Sequence, residues 1–226
     1  MSETKKGLCI TIVSLVLFNI LMILLKCVDV KDTPYGKIGL YGFNNNYRHE
    51  INKAMDIVSD VLLYLSIGVF IAAVVYFAYQ LIKSKFKSFD YRLLVYFIIT
   101  VCVVITYLIF DYVVKLNNRP NLIDGELEGS FPSTHVLLTT YFLLPLTTFF
   151  FKEGRENDTK KIDLDTIITT IAFIIIGAMF ILRFWSGMHW MTDCIGGVLL
   201  GVFYFGLYYF ITSYIKSKKS LEEHVS

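Results

Sequence analysis

Six apolar runs, at about 7–25, 57–82, 91–114, 132–151, 164–182 and 190–215, alternate with polar stretches, and the chain closes on a polar tail, 216–226. A helix needs about 20 apolar residues to cross a hydrocarbon core of roughly 30 Å, and each run approaches or exceeds that length. In lipid the backbone must satisfy its own hydrogen bonds, which leaves helices or closed barrels. The runs are too long and too evenly apolar for barrel strands. The pattern therefore predicts an all-α, six-transmembrane-helix bundle forming one domain over residues 1–226, with the tail frayed.

Composition agrees with the pattern. Hydrophobic residues make up 55% of the chain, above the roughly 45–50% of soluble domains, so this is an integral membrane protein. Lys5 and Lys6 precede the first run as in a signal peptide, but no small-x-small cleavage site follows, and the run is expected to remain as the first span. A formal charge of +2 gives no broad basic surface, which argues against nucleic acid as a partner. Cys9, Cys27, Cys102 and Cys194 form neither a C-x-x-C pair nor a zinc spacing and are read as packing residues. No metal-ligand spacing is visible, so neither metal nor cofactor is expected.

Lysines and arginines in the flanks set orientation. Thirteen of the 21 lie at the N-terminus, in the second and fourth connections and in the tail, which predicts cytoplasmic termini. The first connection, about Lys26 to Asp56, is long and rich in glycine, asparagine and aromatics. It is expected to lie at headgroup depth, with a gating role over a site as the sharper alternative. The short, Ile/Lys/Asn-rich chain hints at a bacterium.

Charged residues within or beside spans are costly and usually kept for a function, and here they gather in three short segments. Arg119-Pro120 follows the third run, Pro132-Ser133-Thr134-His135 opens the fourth, and Arg183-x5-His189-x3-Asp193 links the fifth to the sixth. Two crossings separate the second segment from the third, so both lie on one face, which the lysine distribution makes extracytoplasmic. His189 and Asp193, four apart at a helix start, share a face. Asp193 is expected to accept from one ring nitrogen of His189 and leave the other as a nucleophile. Ser130 is expected to cap the fourth helix, with Pro132 in its first turn. Free N–H groups at that helix start would let Ser133, Thr134 and His135 surround an anion.

Guanidinium groups pair bidentately with phosphate, and neither Arg119 nor Arg183 has a carboxylate directly beside it in sequence, which should leave both available. Phosphoryl transfer needs chiefly positioned positive charge and donors. The set therefore suggests that His189 attacks phosphorus, His135 protonates the leaving oxygen, and water then cleaves the phosphohistidine with His135 as base. Asp124, Glu126 and Glu128 read as a solvated loop, or as groups that repel multiply anionic headgroups or hold an amine-bearing one. Trp185, Trp190, Tyr204 and Tyr208 read as belt and packing residues, and Gly196, Gly197 and Gly201 as sites of close helix contact.

These segments resemble the three-part signature of the type 2 phosphatidic acid phosphatase superfamily, K-x6-R-P, P-S-G-H and S-R-x5-H-x3-D. The resemblance covers about 75 residues, and both gaps of the third part match. Three positions depart from it: Tyr112 stands where the first lysine belongs, Thr134 replaces the glycine and Leu182 replaces the serine. Either Lys115, one turn on, or Tyr112 would take the first lysine's role. The resemblance implies metal-independent dephosphorylation of a membrane lipid phosphate or pyrophosphate, with His189, His135 and Asp193 catalytic and Arg119, Arg183, Ser133, Thr134 and Lys115 binding phosphate. Implied substrates include phosphatidic acid, phosphatidylglycerophosphate and polyprenyl pyrophosphates. The rivals are a phosphotransferase with a lipid or sugar acceptor and a non-enzymatic anion-binding membrane protein.

Overall fold

The computed structural model describes residues 1–85, 87, 89–122, 127–149 and 164–225. Helix α1 spans Glu3–Cys27, strands β1 (Lys31–Thr33) and β2 (Gly36–Ile38) form a small antiparallel hairpin, and α2 is the short helix Tyr41–Asn46. Four long helices and one of 16 described residues follow: α3 (Lys53–Lys83), α4 (Tyr91–Ile109, continued by the π-helical turn Phe110–Val114), α5 (Thr134–Phe149), α6 (Leu164–Trp185) and α7 (Met191–Val225). The helices start where side chains can satisfy the exposed first-turn amides. Ser2 accepts from Lys5 N, Asn52 from Met55 N and Asp90 from Arg92 N.

Among the described residues five helices are long and apolar enough to cross a membrane: Glu3–Cys27, Lys53–Lys83, Tyr91–Val114, Thr166–Trp185 and Met191–Glu222. The protein is a multi-pass, helical membrane protein. The remaining expected run, the fourth, contains α5, whose 16 described residues span about 24 Å at 1.5 Å per residue. The end of that run, the cationic connection holding Lys152, Arg155, Lys160 and Lys161, and residues Asp124 and Glu126 lie outside the described residues.

Helix α7 is the spine. In lipid, helices associate through close packing and hydrogen bonds because the tails are as apolar as the side chains, so small residues mark the contacts. A Cβ on Gly206 would lie 2.7 Å from Thr11 N of α1, and one on Gly201 would lie 2.7 Å from the Thr140 side chain of α5. Nearer the helix starts, a Cβ on Gly197 would meet Ser133 O at 2.7 Å, and Ser133 N donates to Asp193 O at 3.0 Å. These contacts bring the beginnings of α5 and α7 together beside the end of α6.

Two expectations change. The tail is the continuation of α7 as far as Val225, because Lys216–Glu222 is made of good helix formers with no glycine or proline. The first connection is folded rather than a simple interfacial loop. Asn44, 1% exposed, accepts from Thr192 Oγ1 at 3.0 Å, and Gly39 N donates to Asn117 Oδ1 at 3.2 Å, so the connection docks on the segments that carry the polar motifs. Of the cysteines, Cys194 alone is buried, while Cys9, Cys27 and Cys102 are exposed on their helices.

Candidate active site

Arg119, Thr134, His135, Arg183 and His189 line one cavity of about 180 Å³, together with Leu63, Tyr107, Asp111 and the stretch Gly129–Pro132. His135 sits in the first turn of α5, Arg183 in the last turn of α6, and His189 in the five-residue link 186–190 before α7.

That link is held from several sides. Gly187 has φ +72° and a Cβ there would lie 2.6 Å from Glu50 O, so only glycine fits both the backbone and the space. Asn52 N donates to Ser186 O at 2.9 Å, Asn121 Nδ2 to Gly187 O at 2.8 Å, and the buried Trp190 donates from Nε1 to Asn118 O at 2.6 Å. Trp190 is thus an anchor between two motif segments, whereas Trp185 is exposed.

The imidazole of His189 is buried, and its Nδ1 lies 3.0 Å from the Ser130 carbonyl oxygen. A carbonyl can only accept, so Nδ1 carries the proton and Nε2 holds the lone pair. The expected partner, Asp193, is 3.7 Å from Nδ1, beyond a hydrogen bond. Its Oδ2 instead accepts from Trp190 N at 3.0 Å, reaching back over the start of α7 as the third-position acid of a capping box does. The difference arises because the link turns the ring of His189 toward Ser130, a contact that i, i+4 spacing cannot reveal. Ser130 therefore serves as an acceptor for His189 and a donor to Asn117 O, not as the cap of α5.

Burial, together with the charges of Arg183 and Arg119, pushes the His189 pKa well below the ordinary histidine value. A depressed value keeps the ring neutral as pH falls, so the lone pair survives below about 6.5. Histidine NMR of the detergent-solubilised protein should show one resonance, lost in His189→Gln, with its midpoint below that of free imidazole. A midpoint above 6.5 would contradict this placement.

Both arginines are paired, contrary to expectation. Arg183, 2% exposed, donates from Nη1 to the Asp56 carboxylate and to Ser59 Oγ at 3.1 Å. Arg119 Nε lies 2.9 Å from Glu128 Oε2, but out of line for a hydrogen bond. The buried N–H groups at Arg119 Nε and Nη1 and at Arg183 Nε have no hydrogen-bond acceptor among the described residues. Each guanidinium thus keeps donor capacity beside the cavity, and buried donors of this kind are expensive to leave unmatched.

Three of the residues expected to bind phosphate, and Tyr112 as the alternative to Lys115, are placed as follows. Lys115 and Tyr112 are both exposed and outside the cavity lining, with Tyr112 70% exposed. They lie within and just after the π-helical turn Phe110–Val114, which Lys115 ends in the left-handed region at φ +43°, while Tyr107 and Asp111 line the cavity. Ser133 is fully buried and is not among the lining residues, and its N–H is already committed to Asp193 O. Thr134 does line the cavity, and it is not among the positive-φ residues, so a side chain in place of the signature glycine imposes no backbone strain there.

Three residues of α3 belong to the site and were not anticipated. Asp56 and Ser59 hold Arg183, and Asp60 Oδ1 is 2.8 Å from His135 Nε2. Their spacing, i, i+3 and i+4 at the start of an otherwise apolar helix, puts them on one face. With the parity of crossings, that pattern was the available signal.

The PAP2 superfamily profile matches residues 112–217, the segment that carries all three motifs. Over that stretch the chain is similar to the PAP2 superfamily. The fold agrees: a transmembrane PAP2 type phosphatidylglycerolphosphate phosphatase from Bacillus subtilis aligns with a TM-score of 0.59 over 92% of this chain and 96% of that one, at 16% identity. At this identity the likeness is one of fold. No curated protein matches the sequence.

Proposed function

We propose that this protein is a member of the PAP2 superfamily that hydrolyses a lipid phosphate or pyrophosphate without a metal, through a phosphohistidine on His189. The supporting observation is the fixed tautomer: Nδ1–H is tied to Ser130 O, so Nε2 holds the lone pair of a ring lining the same cavity as His135, Arg119 and Arg183. In this reading Nε2 attacks phosphorus and the arginines spread over the equatorial oxygens. The first-turn amides of α5, which have no intrahelical acceptors, add donors at Thr134 and His135. His135 gives a proton to the leaving oxygen and then takes one from the attacking water.

The membrane setting favours a lipid whose tail stays in the bilayer, and the fold neighbour's substrate puts phosphatidylglycerophosphate beside phosphatidic acid and polyprenyl pyrophosphates as candidates. The reading includes six crossings, cytoplasmic termini and an extracytoplasmic site. Purified protein in detergent should release inorganic phosphate from at least one lipid of such a panel, undiminished by EDTA and inhibited by vanadate, which mimics the five-coordinate transition state. Phosphorylated acceptor in place of free phosphate would make it a transferase, and no turnover of any panel member would overturn the reading.

A further inference from the structure

A general acid that must also act as a base needs its proton held at one nitrogen and its charge balanced while it is an imidazolium. In a catalytic triad a carboxylate does this for the histidine beside the nucleophile. Here the histidine in the nucleophile's place, His189, has a backbone carbonyl in that role. The carboxylate at hydrogen-bond distance from a histidine of the cavity is on the other one: Asp60 Oδ1 is 2.8 Å from His135 Nε2.

We infer that Asp60 is the positioning residue of His135 and sets it up as the acid and base of the reaction, an inference that rests on the phosphohistidine reading above. The Asp60 carboxylate accepts from Nε2–H, so the proton that moves is carried at Nδ1. In the first half-reaction the P–O bond to the lipid breaks as Nε2 of His189 bonds to phosphorus, and the Nδ1 proton of His135 goes to the departing oxygen. In the second, water attacks phosphorus, its proton goes to Nδ1, and the P–N bond breaks. Throughout, Nε2–H stays on Asp60, which stabilises the imidazolium and fixes the ring.

The surroundings favour this assignment. Asp56 is drawn off by Arg183, which leaves Asp60, one turn further along α3, facing His135. Among the described residues, the other charged or titratable groups about His135 include Arg183 from the end of α6, His189 from the following link, and Tyr107, Asp111 and Arg119, which line the same cavity. Of all these groups Asp60 is the carboxylate hydrogen-bonded to His135. The Asp60 side chain is 42% exposed, so its replacement opens no buried gap.

The test uses the full-length protein in detergent, with Asp60→Asn, which keeps an acceptor oxygen but removes the charge. For a lipid phosphate, whose alkoxide must be protonated to leave, kcat/KM should fall about 10- to 100-fold, part of the roughly 10²–10⁴ that such proton transfer contributes. For p-nitrophenyl phosphate, whose leaving group needs no proton, the fall should stay below about 3-fold. Asp60→Glu should recover most of the lipid phosphate rate, and in a His135→Asn background Asp60→Asn should have little further effect. Should Asp60→Asn fail to elute as folded protein, Asp60→Ser, which also removes the carboxylate from this part-exposed position, should show the same loss that depends on the leaving group.

Equal losses for both substrates, an unchanged rate, or full additivity with His135→Asn would overturn the inference. His189→Ala separates the two layers. Turnover surviving in that variant removes the phosphohistidine reading itself, whereas an inactive His189→Ala beside a normal Asp60→Asn removes only the role of Asp60.

Discussion

His189→Ala should abolish phosphate release, with a loss on the order of 10⁴–10⁶ in kcat, the scale on which removal of a catalytic nucleophile is felt. No neighbouring group replaces it. His135 is the other imidazole lining the cavity, and its Nε2 is turned to Asp60. Because the change deletes a ring bonded to a backbone carbonyl and touches neither arginine, the variant should still bind vanadate or unhydrolysed lipid phosphate. Retained binding with lost turnover separates removal of the nucleophile from collapse of the site. Loss of binding with partial turnover would mean that His189 is a binding group and the chemistry lies elsewhere.

Arg183→Lys should lower kcat/KM by about 10²–10³, the usual cost of one preorganised donor to the transition state. A lysine keeps the charge but not the planar fork. The fork here divides its work: Nη1 is held by Asp56 and Ser59, while Nε is buried with no acceptor among the described residues. Lysine can occupy the Asp56 end and leave the cavity end without a donor, so kcat should suffer more than KM. Arg183→Ala should also destabilise the fold, since removing one partner of a buried ion pair typically costs about 3–5 kcal/mol, reduced here because Asp56 is 27% exposed and water can screen it. A thermal unfolding series in detergent, including Arg183→Ala with Asp56→Asn, should show the double variant recovering part of that loss.

Much of the scaffold could be read from the runs of apolar residues, because in a membrane length and polarity leave few alternatives. The residues of Arg183-x5-His189-x3-Asp193 could be found because their constraint is local. What local spacing could not supply was direction. Asp193 and His189 are four apart, yet the link 186–190 turns one toward Trp190 N and the other toward Ser130 O.

Long-range partners were equally hidden. Asp56, Ser59 and Asp60 lie more than 70 positions from the side chains they hold, and the first connection hid its docking contacts at Asn44 and Gly39 in the same way. Lys115 lies outside the cavity lining for a different reason. Lys115 lies one turn from Tyr112 on the same face only in α geometry, and the π-helical turn Phe110–Val114 rotates the positions that follow it.

The position of Asp111 and Glu128 bears on selectivity. A cavity with two arginines is also edged by Asp111 and approached by Glu128, so its field is less positive than the arginines alone would make it. In the proposed reading the donors left on Arg119 and Arg183 decide where a phosphate sits, and it takes up those donors beside their carboxylate partners.

Trapping the phosphoenzyme is the most direct test. Protein rapidly denatured in alkali during turnover of a lipid phosphate carrying a radiolabelled phosphoryl group should retain acid-labile, alkali-stable label on the peptide that contains His189. The label should accumulate when His135 is replaced by alanine and a good leaving group drives the first step, and it should be absent from His189→Ala. Steady turnover with no covalent label under these conditions, or label on any other residue, would contradict a phosphohistidine at His189.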